Sequence, residues 1–116
     1  MKATKWKPKM DGAWVSYVAI GFGQMMWFCY VPNCIAPIGF VWGWATGKGF
    51  HVAGSFVQPW ARRNGVRSRI NDAIFQHYRV ISTSSGSKEG GKQFLKAKKY
   101  KRNELLDLFY LERPSA

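Results

Sequence analysis

The chain has 116 residues, with 18 Lys+Arg against 6 Asp+Glu, a formal net charge of +12, 47% apolar and 16% aromatic residues. That length holds one small domain, and so many apolar and aromatic residues exclude a disordered polycation. Charge is segregated: from Gly12 to Gly47 there is no Asp, Glu, Lys, Arg or His, a partition that argues against an ordinary soluble enzyme and for a membrane protein.

Residues 1–11 form a basic N-terminal segment carrying Lys2, Lys5, Lys7 and Lys9. A basic start before an apolar run suits a secretory signal, but the run is too long and no small-x-small site closes it. The segment therefore reads as part of the mature chain. Residues 12–47 are predicted as the transmembrane segment. A helix crosses roughly 30 Å of hydrocarbon in about 20 residues, so the window is too long for one straight span and barely short of two. Pro32 and Pro37 interrupt its centre, each removing a backbone donor and discouraging helix before it. Three arrangements satisfy these limits: a helix over Ala13–Tyr30 with an interfacial aromatic segment, a kinked helix to about Ala45, or a hairpin turning at Pro32-Asn33. The predicted fold class is an all-α membrane protein, with one kinked transmembrane helix or a tight hairpin, and an extended basic tail with short amphipathic helices.

Trp14 and Tyr17 near one end of the window, and Trp42 and Trp44 near the other, suit an interfacial aromatic belt. Gly39, Gly43 and Gly47 are spaced by four, and Ala19 and Gly23 repeat that spacing. On a helix such small residues form a stripe along which a second helix packs. Gln24 and Asn33 are polar at depth and suit hydrogen bonds to a neighbouring helix.

Residues 48–81 read as a loop and an amphipathic helix: Val66, Ile70, Ala73, Ile74, Tyr78 and Ile81 recur at helical spacing. Arg62, Arg63, Arg67 and Arg69 lie before or along it and are predicted to contact lipid headgroups or a partner. Residues 82–91 (STSSGSKEGG) have linker composition. Residues 92–116 form a basic C-terminal segment in which Lys98, Lys99, Lys101 and Arg102 are further headgroup or partner contacts. There Asn103 is the expected N-cap of a short helix that Pro114 stops.

Cys29 and Cys34 lack the second pair a metal site needs and read as buried apolar residues. His51 and His77 have no acidic partner at workable spacing and read as surface or interface residues. No catalytic, cofactor-binding or metal site is predicted, and the chain reads as a non-enzyme. A cardiolipin-like phospholipid suits the basic residues beside a span, and nucleic acid is disfavoured because no recognised binding pattern is present.

Pro37-Ile38-Gly39-Phe40-Val41-Trp42-Gly43 is similar to a P-x-G-F-V-x-G stretch in the span of the MNLL-type accessory subunit of mitochondrial NADH:ubiquinone oxidoreductase. Met26-Trp27-Phe28 resembles the start of the MWFE-type subunit of that complex. The resemblance implies a non-catalytic structural or assembly subunit of complex I in the mitochondrial inner membrane, partnered by the other subunits of the respiratory chain. The alternatives are a subunit of cytochrome oxidase, ATP synthase or a photosystem, or a membrane-anchored tether binding anionic lipid or RNA through its basic tail.

Overall fold

Trp, Tyr, Phe, Val and Ile favour a pleated, half-buried strand as strongly as they favour lipid, and the uncharged window is folded as strands. The computed structural model describes residues 10–84 and 100–114. The elements in chain order are β1 (Trp14–Gly21), β2 (Gln24–Tyr30), β3 (Gly39–Thr46), β4 (Gly49–Val57), a 3-10 turn (Pro59–Ala61), α1 (Val66–Phe75), β5 (Val80–Thr83), β6 (Lys101–Asn103) and β7 (Leu108–Glu112). The strands make one sheet in the order β1-β2-β3-β4-β5-β7-β6. Every pairing is antiparallel except β4 with β5, which is parallel. The turn and α1 make the crossover that a parallel pair requires.

Tight turns set the register. Gly21 faces Gln24 across the first turn, and Phe22 and Gly23 both have positive φ (53° and 75°). This is the backbone twist that joins two strands with two residues. Residues at even spacing then share a face. Trp27 and Cys29 on β2, Val41 on β3, Phe50 and Val52 on β4 and Ile81 on β5 are buried against Val66, Ile70 and Ile74 of α1. Each such side chain contributes about 1.5–3 kcal/mol by leaving water. Gly39 on β3 lets α1 close in, since a Cβ there would stand 2.8 Å from Val66 Cγ1. The opposite face carries Phe28, Tyr30, Phe40, Trp42, Trp44 and Phe56, whose rings shield one another at centroid separations of 6.1–6.4 Å for Phe28–Tyr30, Phe28–Phe40, Phe40–Phe56 and Trp42–Trp44.

The all-α membrane expectation is overturned. Strands apolar on both faces lose the polar–apolar alternation by which a strand is recognised, so the window mimics a span. Among the described residues no helix is long and apolar enough to cross a membrane. The mitochondrial inner-membrane location rested on such a helix and falls with it. A spacing of four is also a multiple of the strand period of two. Gly39 and Gly43 accordingly lie on one buried face of β3, Gly47 and Gly23 occupy turns, and Ala19 is on β1. Of the apolar positions at helical spacing, Val66, Ile70, Ala73 and Ile74 lie on α1, whereas Ile81 lies on β5. The short helix expected after Asn103 is instead the β6–β7 hairpin. Asn103 Oδ1 accepts from the Leu106 N–H at 3.1 Å, closing the turn rather than starting a helix. Lys98, Lys99 and most of the 82–91 linker lie outside the described residues.

Candidate functional site

β4 positions the site. Its first half, Gly49–Val52, pairs with Val80–Thr83 of β5. Ala53 is then an extra residue, since Trp42 faces Gly54 while the neighbouring Gly43 faces Val52. Such a bulge bends the strand and re-aims the residues beyond it. From Gly54 to Val57 the strand keeps its pairing with β3 but has none with β5, so that among the described residues one row of its peptide groups faces an open edge. Gly43 makes the bend, because a Cβ there would collide with the backbone of His51.

At the point of divergence the sheet register aligns a polar row on the face away from α1. Trp44 faces His51, His51 faces Ser82, Ser82 faces Tyr110 and Tyr110 faces Lys101 across five adjacent strands. His51 Nδ1 is 2.9 Å from Ser82 Oγ, and the imidazole packs on the Trp44 ring at 5.1 Å. Burial lowers the His51 pKa below its ordinary 6.5, which keeps the ring neutral and able to accept a proton near pH 7.

At the other end of the open edge is the start of α1. Gly65 precedes the helix in the left-handed conformation (φ 79°), and among the described residues no side chain caps the helix N-terminus. The first-turn N–H groups of a helix lack intrahelical partners, and no acidic residue sits in that turn. Arg63 also has positive φ (66°). Asn64 Nδ2 donates to the carbonyls of Ala61 (3.1 Å) and Arg62 (2.9 Å) and holds the loop in place. The loop and first turn enclose a cleft of about 230 Å3 lined by Arg62, Arg63, Gly65, Arg67 and Ser68. Arg62 Nε donates to the Val57 carbonyl at 3.1 Å, and its guanidinium lies 5.9 Å from the centre of the Phe56 ring. Arg67 Nε donates to Asn71 Oδ1 at 3.0 Å, while its Nη2 is buried with no hydrogen-bond partner among the described residues. Burial lowers the Arg67 pKa, opposed by Tyr100. Unpaired helix N–H groups, three arginines and an orphaned buried donor make a place for an anion.

The basic residues expected to meet lipid or a partner are thus divided. Arg62, Arg63 and Arg67 line this cleft. Arg69 reaches back to the Met10 carbonyl at 2.9 Å. Lys101 pairs with Glu112 at 3.4 Å, and Arg102 pairs with Asp107 and covers the Phe109 ring at 4.7 Å. His77 lies against Tyr17 and Trp27 at 5.7 and 5.8 Å, away from the polar row. His51 has no acidic partner at workable spacing in the chain, and its partner is instead a serine 31 residues on. The legible signal was the R-x-x-G loop from Arg62 to Gly65 immediately before the helical pattern.

No family model matches the sequence, and no curated protein matches it. Solved structures do match. A GNAT-family acetyltransferase from Desulfovibrio desulfuricans superposes with a TM-score of 0.58 at 12% identity, over 78% of this chain and 69% of that one. One from Staphylococcus aureus Mu50 gives 0.58 at 12% identity, over 78% and 68%. An E. coli protein described as a candidate N-acetyl transferase, solved bound to coenzyme A, gives 0.61 at 10% identity, over 83% and 77%. These findings overturn the resemblance to complex I accessory subunits. With it go the respiratory-subunit role, its alternatives as a subunit of another energy-transducing complex or a lipid- or RNA-binding tether, and the membrane-complex and phospholipid partners. The expectation of a non-enzyme rested on the same footing and is withdrawn. At these identities the likeness is one of fold, and the conclusion it supports is that the chain has the GNAT-like α/β fold.

Proposed function

We propose that the protein is an acyltransferase that moves an acyl group from a coenzyme A thioester to an amine. One observation carries the reading: a neutral-leaning histidine stands where β4 leaves β5, and a basic, uncapped helix start stands at the far end of the same open strand edge. The fold likeness supports it, and so does the coenzyme A held by the E. coli neighbour. The donor set suits the molecule. Its pyrophosphate requires N–H donors and guanidinium groups, which the α1 start and Arg62, Arg63 and Arg67 offer, and the orphaned Arg67 Nη2 lacks a partner of that kind. Its extended arm carries amides, and β4 from Ala53 to Val57 presents peptide groups for them over about 16 Å. Bound as its acyl thioester, the molecule would supply an activated acyl carbon with a thiol leaving group. Within the chain, His51, steadied by Ser82, takes the proton that an attacking amine must lose. Tyr110, across from Ser82, is placed to return a proton to the departing sulfur.

Calorimetric titration tests the donor site. Coenzyme A is expected to bind, and pantetheine, which lacks the pyrophosphate, to bind far more weakly. Arg62→Ala is expected to cost roughly tenfold in affinity, the loss of one charge-assisted contact. Equal affinity for coenzyme A and pantetheine, or no binding of either, would overturn the reading.

A further inference from the structure

The proposed acyltransferase reading leaves the acceptor open, and a second cleft on the face of the polar row bears on it. It measures about 370 Å3 and lies between the β3–β4 turn, β5 and the β6–β7 hairpin. Ser82 lines one part of it, and through the 2.9 Å contact of its Oγ the cleft communicates with His51. Tyr110 adds a second hydroxyl. Val80, Leu106 and Leu108 make an aliphatic wall, and Lys48 is the one charged group among the described residues that line it. No carboxylate is among them.

We infer that this cleft takes the acceptor, and that the acceptor is a small amine bearing a carboxylate and an aliphatic body, the class of the aliphatic α-amino acids. Three features select it. The volume lies at the small end of ligand pockets, which run from roughly 300 to 1,000 Å3, and suits a metabolite rather than a folded partner. The lysine attracts an anionic end and repels a second cation. The wall buries a hydrocarbon side chain. A polyamine or a lysine-rich peptide meets no counter-charge here and approaches a chain of net charge +12.

The step balances. The acceptor ammonium gives one proton to His51, directly or through the Ser82 hydroxyl. The amine nitrogen then attacks the thioester carbonyl carbon, a C–N bond forms, the C–S bond breaks, and the thiolate leaves with a proton as free coenzyme A. The amine contributes two protons in all, one retained by the thiol and one released to solvent.

The test uses the full chain with acetyl-coenzyme A and follows thiol release with L-leucine, isopentylamine (the same body without the carboxylate) and spermidine. Leucine is expected to be the best acceptor, with a KM about tenfold below that of isopentylamine, one ion pair's worth. Lys48→Met is expected to raise the KM for leucine and narrow that gap. Lys48 is exposed in a turn, so its replacement leaves the core intact. Amide chemical shifts read the cleft without catalysis: leucine alone is expected to move the signals of Lys48, Ser82 and Tyr110. Thiol release with spermidine or isopentylamine at least as efficient as with leucine overturns the acceptor class and leaves the acyltransferase reading standing. Failure of leucine to shift those amides also overturns it. If acetyl-coenzyme A does not bind at all, the acyltransferase reading falls, and leucine shifts at the cleft would then support the acceptor site alone.

Discussion

His51 sits beneath the Trp44 ring and against the Ser82 hydroxyl, and burial penalises its charged form. That penalty sets the sign of the pH dependence. The folded-state pKa lies below 6.5, so the imidazole is neutral at pH 7 and becomes protonated only as pH falls through the lowered value. The rate of acyl transfer is expected to rise with pH along a limb whose midpoint is below 6.5 and to level off near neutrality. His51→Gln is expected to lose that limb and about a hundredfold in kcat, the usual contribution of a positioned base; a pH–rate profile of both proteins checks it. Stability moves in the same direction. The unfolded chain binds the proton more readily than the folded one, so stability falls as pH drops from 6.5 through the folded value and is unaffected above it. The residue types of this site stood in the sequence, but Ser82 comes to His51 from 31 positions away and Tyr110 comes to face Ser82 from 28, and no local spacing announces either.

Among the elements, α1 and β3 meet through glycine and small aliphatic side chains. Ile70 of α1 is fully buried in the core that the helix shares with the sheet, and Ile70→Ala is expected to cost about 2–5 kcal/mol, the range for deleting a buried aliphatic side chain, read as a lower urea midpoint. Gly43 is a different case. A methyl group there would meet the His51 backbone, so Gly43→Ala is expected to lower the melting temperature and to reduce activity by shifting His51. A calorimetric scan paired with the thiol assay reads both effects. β1 is an edge strand among the described residues. It has no charged side chain, and Trp14, Tyr17, Val18 and Ile20 are about half exposed. Such an edge templates pairing with other chains. Val18→Lys is expected to reduce concentration-dependent light scattering without altering coenzyme A affinity. α1 was legible because its helical period survives between basic residues. β2 and β3 were not, because their alternation is erased where both faces are apolar. The β6–β7 hairpin was misread because Asn103 serves a turn and a helix start by the same hydrogen bond, a side-chain oxygen accepting from an N–H three residues on.

For the whole molecule, the fold makes a spectroscopic statement that separates it from a helical membrane segment. The far-UV circular dichroism spectrum is expected to be dominated by sheet, with a minor contribution from the ten residues of α1; a predominantly helical spectrum would refute the architecture. Read alone, the sequence settled the distribution of charge, the basic residues around Arg62–Gly65 and the helical period just after them. These are local properties, fixed by side-chain chemistry and backbone preference within a few residues. Whether the uncharged window met lipid or protein was decided only by tertiary structure, because a sheet covered by a helix on one face and by its own aromatic rings on the other asks for the same apolar side chains as burial in hydrocarbon. Tertiary structure alone also decided that β4 leaves β5 beside His51, since a strand bulge and a cross-strand hydrogen bond come into being only when distant segments are laid side by side.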